Sequence, residues 1–234
     1  MDLGMFDHLM ALILIVAVPI HAVLEHRRLE RQVSAGVPGA RAQTYYLTLV
    51  VEWILVAAVL AFWLPGGRTL AELGLGFNVT LGWWIGTGAA IVVIALTIYQ
   101  TFSTIRNSEA LAKIRKQVEP LRALIPHSAK EGQLFNALSV TAGICEELLY
   151  RGFLIAYFGT FVDIWLAVVL SSIAFGFAHM YQGKIGIVKT GGAGLALAGL
   201  YVLTGSLWAS MVLHVLVDVN SGFVARKAMS HATA

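Results

Sequence analysis

Long apolar runs alternate with short polar connectors along the chain. Seven of them, near 5–24, 45–64, 81–99, 134–157, 164–181, 186–204 and 207–224, approach the roughly 20 residues that cover the hydrocarbon core of a bilayer. A backbone in lipid must satisfy its own hydrogen bonds, so each run predicts a helix and not a strand. Between the third and fourth runs the period changes. Leu111, Ile114, Val118, Leu121 and Ile125 recur at three- and four-residue steps, with Lys113, Arg115, Lys116 and Arg122 on the other side. That pattern predicts an amphipathic helix on the inner membrane surface, ending near Pro126. Gripping anionic headgroups is its simpler role; gating or lipid sensing is the functional alternative. The small residues Gly191, Gly192, Ala193, Gly194, Ala196, Ala198 and Gly199 predict close helix packing. A phosphate loop is excluded because no Gly-Lys-Ser/Thr follows. With no repeat or low-complexity tract, residues 1–234 read as a single integral membrane domain. The fold class is all-α: a polytopic transmembrane helical bundle of about seven spans plus a cytoplasmic amphipathic helix.

Composition agrees. The chain is 58% hydrophobic and only 12% charged, with a mean hydropathy of +0.78, far from the usual composition of soluble domains. A net charge of +3 does not point to nucleic acid, because the basic residues lie between apolar runs and form no stripe. Arg27, Arg28, Arg31, Arg41, Arg106, Lys113, Arg115, Lys116, Arg122, Lys130, Lys184, Lys189, Arg226 and Lys227 all fall on one set of alternate connectors; the other set holds only Arg68. Positive residues favour the cytoplasmic side, which predicts an N-terminus outside and a C-terminus inside. The stretch from Met1 to Asp7 is acidic where a signal peptide would be basic, so the first run is expected to remain as a helix. Cys145 is the lone cysteine and permits no intrachain disulfide. It reads as a small buried thiol.

Against this apolar background, ionisable residues inside the spans demand a reason. Glu146, Glu147 and Arg151 sit in the fourth run, Phe175 and His179 in the fifth, His214 and Asp218 in the seventh. Glu147 precedes Arg151 by four residues, the favoured order for an ion pair along a helix. Glu146 is rotated about 100° away in an α-helix, so it needs another partner and is the better candidate for chemistry. A carboxylate in such a setting suits a general base that activates water. His179 alone reads as a satisfied interior histidine. His214 and Asp218 repeat the four-residue spacing, and either alone reads as structural. Two acids, an Arg, two His and an Asp on three neighbouring spans point instead to a shared hydrolytic site.

These motifs, Glu-Glu-x-x-x-Arg, Phe-x-x-x-His and His-x-x-x-Asn/Asp in order, resemble those of the CAAX prenyl endopeptidase and bacteriocin-processing membrane proteins, the Abi or CPBP family. The likeness extends over about 120–224, supported by Gly152 after Arg151 and by Thr204-Gly205-Ser206-Leu207-Trp208. It implies an intramembrane endopeptidase. Glu146 and His179 would activate water, Glu147 would assist under the hold of Arg151, and His214 with Asp218 would stabilise the oxyanion. Many members carry Asn where this chain has Asp218, so Asp218 can instead orient His214. The resemblance implies no cofactor. The chemical alternative is a zinc site of Glu146, His179 and His214, although no His-Glu-x-x-His helix is present. Two further alternatives are a non-enzymatic immunity or scaffold protein held together by its buried charges, and a transporter with Glu52 as a proton relay. The expected partners are a peptide or lipidated protein substrate and membrane lipids, with no nucleic acid. Short loops favour a prokaryotic plasma membrane. Oligomeric state has no readable signature.

Overall fold

A computed structural model describes residues 3–230; the acidic Asp2 of the N-terminal stretch lies outside the described residues. Among these residues every regular element is helical, and each of the seven apolar runs is mostly helix, the 164–181 run being broken at its end. Helix α1 (Met5–Leu12), a π-helical turn (Ile13–Ala17) and α2 (Val18–Ser34) run on as one rod. Pro19 stands in the first turn of α2. Its ring would clash with the carbonyl four residues earlier, and the widened turn before it relieves that clash. Helix α3 (Ala40–Trp63) returns across the bundle, and a connector containing a π turn (Ala71–Leu75) leads to α4 (Leu81–Ile105).

The amphipathic segment is shorter than its period predicted. Helix α5 spans Ser108–Val118, and a 3-10 helix (Glu119–Leu124) replaces the expected continuation to Pro126. Pro120 explains the break, because proline disfavours helical geometry at the residue before it. Leu111 is fully buried and α5 packs against α10 and α4, so this element belongs to the bundle as well as to its surface.

Helix α6 (Ala129–Glu146) opens on a capping box in which Ser128 and Glu131 satisfy each other's backbone groups. It passes without interruption into a π-helical segment (Glu147–Leu154) and α7 (Ile155–Phe158). Helix α8 (Ile164–Ala178) starts where Asp163 accepts from two backbone N–H groups. It stops at Ala178, so His179 lies just past the helix end and not within a run reaching residue 181. A short 3-10 turn (Met180–Gln182), α9 (Gly183–Thr204) and α10 (Trp208–Ser230) complete the chain. Five helical segments, Met5–Ser34, Ala40–Trp63, Leu81–Ile105, Met180–Thr204 and Trp208–Ser230, are long and apolar enough to cross a membrane. Helix α8 is shorter at 15 residues.

Helix α6 packs between α3 and α10, and α8 packs along α9. The α8–α9 contact rests on the small residues expected to serve it. A Cβ added at Gly176 would stand 2.8 Å from the Ile187 carbonyl oxygen and 3.2 Å from the Gly191 Cα. At one end of the bundle Arg68 holds Asp7 through two hydrogen bonds of 2.7 and 2.8 Å. At the other, Arg41 and Tyr45 donate to the carbonyls of Ala123 and Leu124. The connector after α3 also reaches inward. The Leu73 carbonyl lies 2.6 Å from where a Gly152 Cβ would be, and Gly74, with φ of +89°, accepts from the Leu207 N–H.

Candidate active site

The polar residues of three helices meet beside one cavity, and the π-helical segment sets their directions. Widening a helix to i→i+5 bonding is a local irregularity often found at functional sites. Here it follows directly after Glu146, and all eight of its residues are buried. The carbonyl of Tyr150 within it accepts from Ser171 Oγ on α8 at 2.5 Å, tying the widened turn to its neighbour.

Glu147 and Arg151 form the predicted pair. Arg151 Nη1 lies 3.0 Å from Glu147 Oε1, with the side chains 1% and 0% exposed. The guanidinium carbon sits 4.1 Å from the Phe175 ring centre, a cation–π stacking that fixes the Arg151 plane from the other side. Helix α9 presses on the same two groups: a Cβ at Gly194 would stand 2.9 Å from the Phe175 ring and 3.2 Å from Arg151 Nη2. Arg151 is therefore enclosed by a carboxylate, an aromatic face and a helix backbone.

Glu147 also reaches the third motif. His214 Nδ1 lies 2.8 Å from Glu147 Oε1, in a buried hydrogen bond between α10 and the π segment. Nδ1 donates there when the carboxylate is ionised. Asp218 Oδ2 is 3.7 Å from His214 Nε2, beyond hydrogen-bonding reach. The carboxylate that orients His214 is thus Glu147 and not Asp218. Sequence spacing pointed to the neighbour one turn away, whereas the actual partner is 67 positions distant.

Glu146 points elsewhere, as its different rotation required. Its Oε1 is 3.9 Å from His179 Nε2 and its Oε2 is 3.6 Å from His214 Nε2. The Glu146 and His179 side chains are 17% and 16% exposed, so this pair opens to the cavity while Glu147 and Arg151 do not. His179 Nδ1 donates to the Phe175 carbonyl at 3.0 Å, and its ring leans on the Phe175 ring at 4.8 Å between centres. The four-residue spacing of the second motif therefore serves as a backbone anchor for the imidazole. That anchor directs Nε2 toward Glu146.

All six predicted site residues, Glu146, Glu147, Arg151, His179, His214 and Asp218, come together in one place. The cavity beside them has a volume of about 270 Å³ and is lined by Glu146, His179 and Asp218 together with residues of α2 and α3. Those two helices contribute His21, Glu25, His26, Tyr45, Thr48 and Glu52. Of these only Glu52 stood out in the sequence, as an acid within a span; the others carry no local signature. Among the described residues no group of three or more His, Cys, Asp or Glu side chains is disposed to hold a metal ion.

A membrane-embedded helical bundle that sets a carboxylate and an imidazole at one cavity, backed by a second imidazole and a buried ion pair, has the features of an intramembrane hydrolase. Residues 132–220 match the family model described as Type II CAAX prenyl endopeptidase Rce1-like. This is the family that the three motifs resemble, and the matched stretch contains all of them. Comparison with curated proteins and with solved structures finds no significant match. The match supports a membrane protease in general terms.

Proposed function

We propose that this protein is an intramembrane endopeptidase that hydrolyses a peptide bond near the C-terminus of a prenylated CAAX-type protein or of a peptide precursor. The observation that carries this reading is the placement of Glu146, with one carboxylate oxygen toward each of His179 and His214 and a side chain open to the cavity. Glu146 takes a proton from water as the water oxygen attacks the scissile carbonyl carbon. The carbonyl π electrons move to its oxygen; they then re-form the carbonyl as the C–N bond breaks, its electron pair going to nitrogen, to which Glu146 returns the proton. His179, anchored through Nδ1, presents Nε2 to the same carboxylate and assists the proton transfer.

His214 faces the developing oxyanion from Nε2. Because Nδ1 is engaged by Glu147, donation from Nε2 requires the imidazolium form. A donor fixed in place by the Glu147–Arg151 pair needs no reorganisation when the oxyanion forms, and in a water-poor site it stabilises that charge more than bulk water would. Asp218 completes this end of the site. The reaction as proposed uses no cofactor. Short loops support a prokaryotic plasma membrane for this activity, and the distribution of Lys and Arg supports an N-terminus outside and a C-terminus inside.

The test is cleavage of a farnesylated C-terminal tetrapeptide reporter by purified protein in lipid, with Glu146→Ala and His179→Ala as controls. Cleavage by the parent alone, unaffected by a chelator, is expected. Cleavage that survives both substitutions, or one abolished by chelator and restored by zinc, would overturn the assignment.

A further inference from the structure

Helix α3, packed directly against α6, brings Glu52 to the same cavity. Its neighbours on the lining face, Tyr45, Thr48 and Leu55, recur at three- and four-residue steps, so one stripe of α3 forms that wall. The rotation of α3 is fixed next to the acid: Trp53 Nε1 donates to Thr141 Oγ1 on α6 at 3.3 Å. Thr141 is five residues before Glu146, about 7.5 Å along an α-helix. Glu52 thus approaches the Glu146 level of the cavity, and it lies within electrostatic reach of both Glu146 and Asp218.

Glu52 Oε2 and Glu146 Oε2 share a second property. Both are buried oxygens with no hydrogen-bond partner in the protein. A buried polar atom without a partner is costly. Two such acceptors on residues that line one cavity are groups that an ordered water can satisfy, since such waters take two to four polar partners. A water has two O–H groups, and donating one to each carboxylate leaves its lone pairs free.

We propose that Glu52 is a positioning residue of the hydrolytic site, holding the nucleophilic water jointly with Glu146; this rests on the endopeptidase reading. One O–H of the water points to Glu146, which takes that proton when the oxygen attacks the scissile carbon. The other points to Glu52, stays on the oxygen, and fixes the direction of the attacking lone pair. The groups facing this water are Glu52 from α3, Glu146 from α6, His179 beyond α8 and Asp218 from α10, with His21, Glu25 and His26 of α2 further along the cavity.

Glu52→Leu removes the acceptor, whereas Glu52→Gln keeps a carbonyl oxygen in its place. A misplacement of reacting groups by about 1 Å can lower a rate about 100-fold. Glu52→Leu should therefore lower kcat on quenched-fluorescence peptides, tested with and without a farnesylated cysteine, by about 100-fold, with KM and thermal unfolding close to the parent. Glu52→Gln should recover most of that loss. A high-resolution structure of the parent should show an ordered water within hydrogen-bonding distance of both carboxylates. An active parent with an equally active Glu52→Leu variant, or an ordered water bound to Glu146 and not to Glu52, would overturn the role of Glu52 while leaving the endopeptidase reading intact. Loss through lowered thermal stability, with no recovery by Gln, would assign Glu52 to packing instead. A parent that cleaves none of the peptides would overturn both.

Discussion

Helix α4 and the π-helical segment after Glu146 are both apolar by composition, yet they meet opposite surroundings. Helix α4 exposes Trp84, Ile85, Ile91, Val92, Leu96 and Tyr99, and only Gly86 and Ala90 are buried. In the π segment all eight residues are buried, two of them charged. Hydropathy alone reports that a segment avoids water. It does not distinguish a helix solvated by lipid from one enclosed by protein. The charges make that distinction, because an ionised side chain within a bundle needs a partner that lipid cannot supply.

The same contrast recurs between adjacent residues. Glu147 is held by Arg151 and His214 and is wholly enclosed, whereas the Glu146 side chain is 17% exposed and lines the cavity. The account therefore gives the two neighbours different work, one holding the site and the other reacting. Glu146→Gln removes the general base, and positioned proton transfer contributes about 10²–10⁴-fold to rate. Peptide cleavage should fall within that range with little change in unfolding. Arg151→Leu leaves Glu147 buried without its cation, which costs about 3–5 kcal/mol. Denaturant unfolding in detergent should register that loss, and adding Glu147→Gln should restore part of it.

Smaller effects test the two surroundings directly. Gly152→Ala places a Cβ against the Leu73 carbonyl, at 2.6 Å before relaxation, and overpacking of this kind costs about 1–3 kcal/mol. Its unfolding midpoint should drop, and cleavage should weaken as the π segment shifts. Ile91→Ala lies on the exposed face of α4, and exposed substitutions generally stay within about 0.5 kcal/mol. A large loss there would show that α4 meets a protein partner instead of lipid.

Much of this was legible from residue order. The apolar runs located the helices because lipid permits little else. The separation of Glu146 from Glu147 followed from helix rotation, although the π geometry alters the 100° step at that point. Contacts distant in sequence left no trace of that kind. Asp7 and Arg68 are 61 residues apart, and each lay in a segment whose pattern gave no reason to expect a pair. Glu147 displaced Asp218 as the partner of His214 because two helices cross there, which periodicity along one helix cannot reveal. Pro120 was a local signal, but the apolar period ran through it and masked the break. Glu52 was visible as an acid within a span; that it lines the cavity with Glu146 became clear only from the packed helices.

The most direct measurement compares Glu146→Gln with Glu147→Gln for peptide cleavage and unfolding in the same lipid preparation. The account predicts that Glu146→Gln unfolds like the parent and cleaves about 10²–10⁴-fold more slowly, while Glu147→Gln is destabilised because Arg151 and His214 lose their shared carboxylate. A Glu146→Gln variant that cleaves at the parental rate would contradict it.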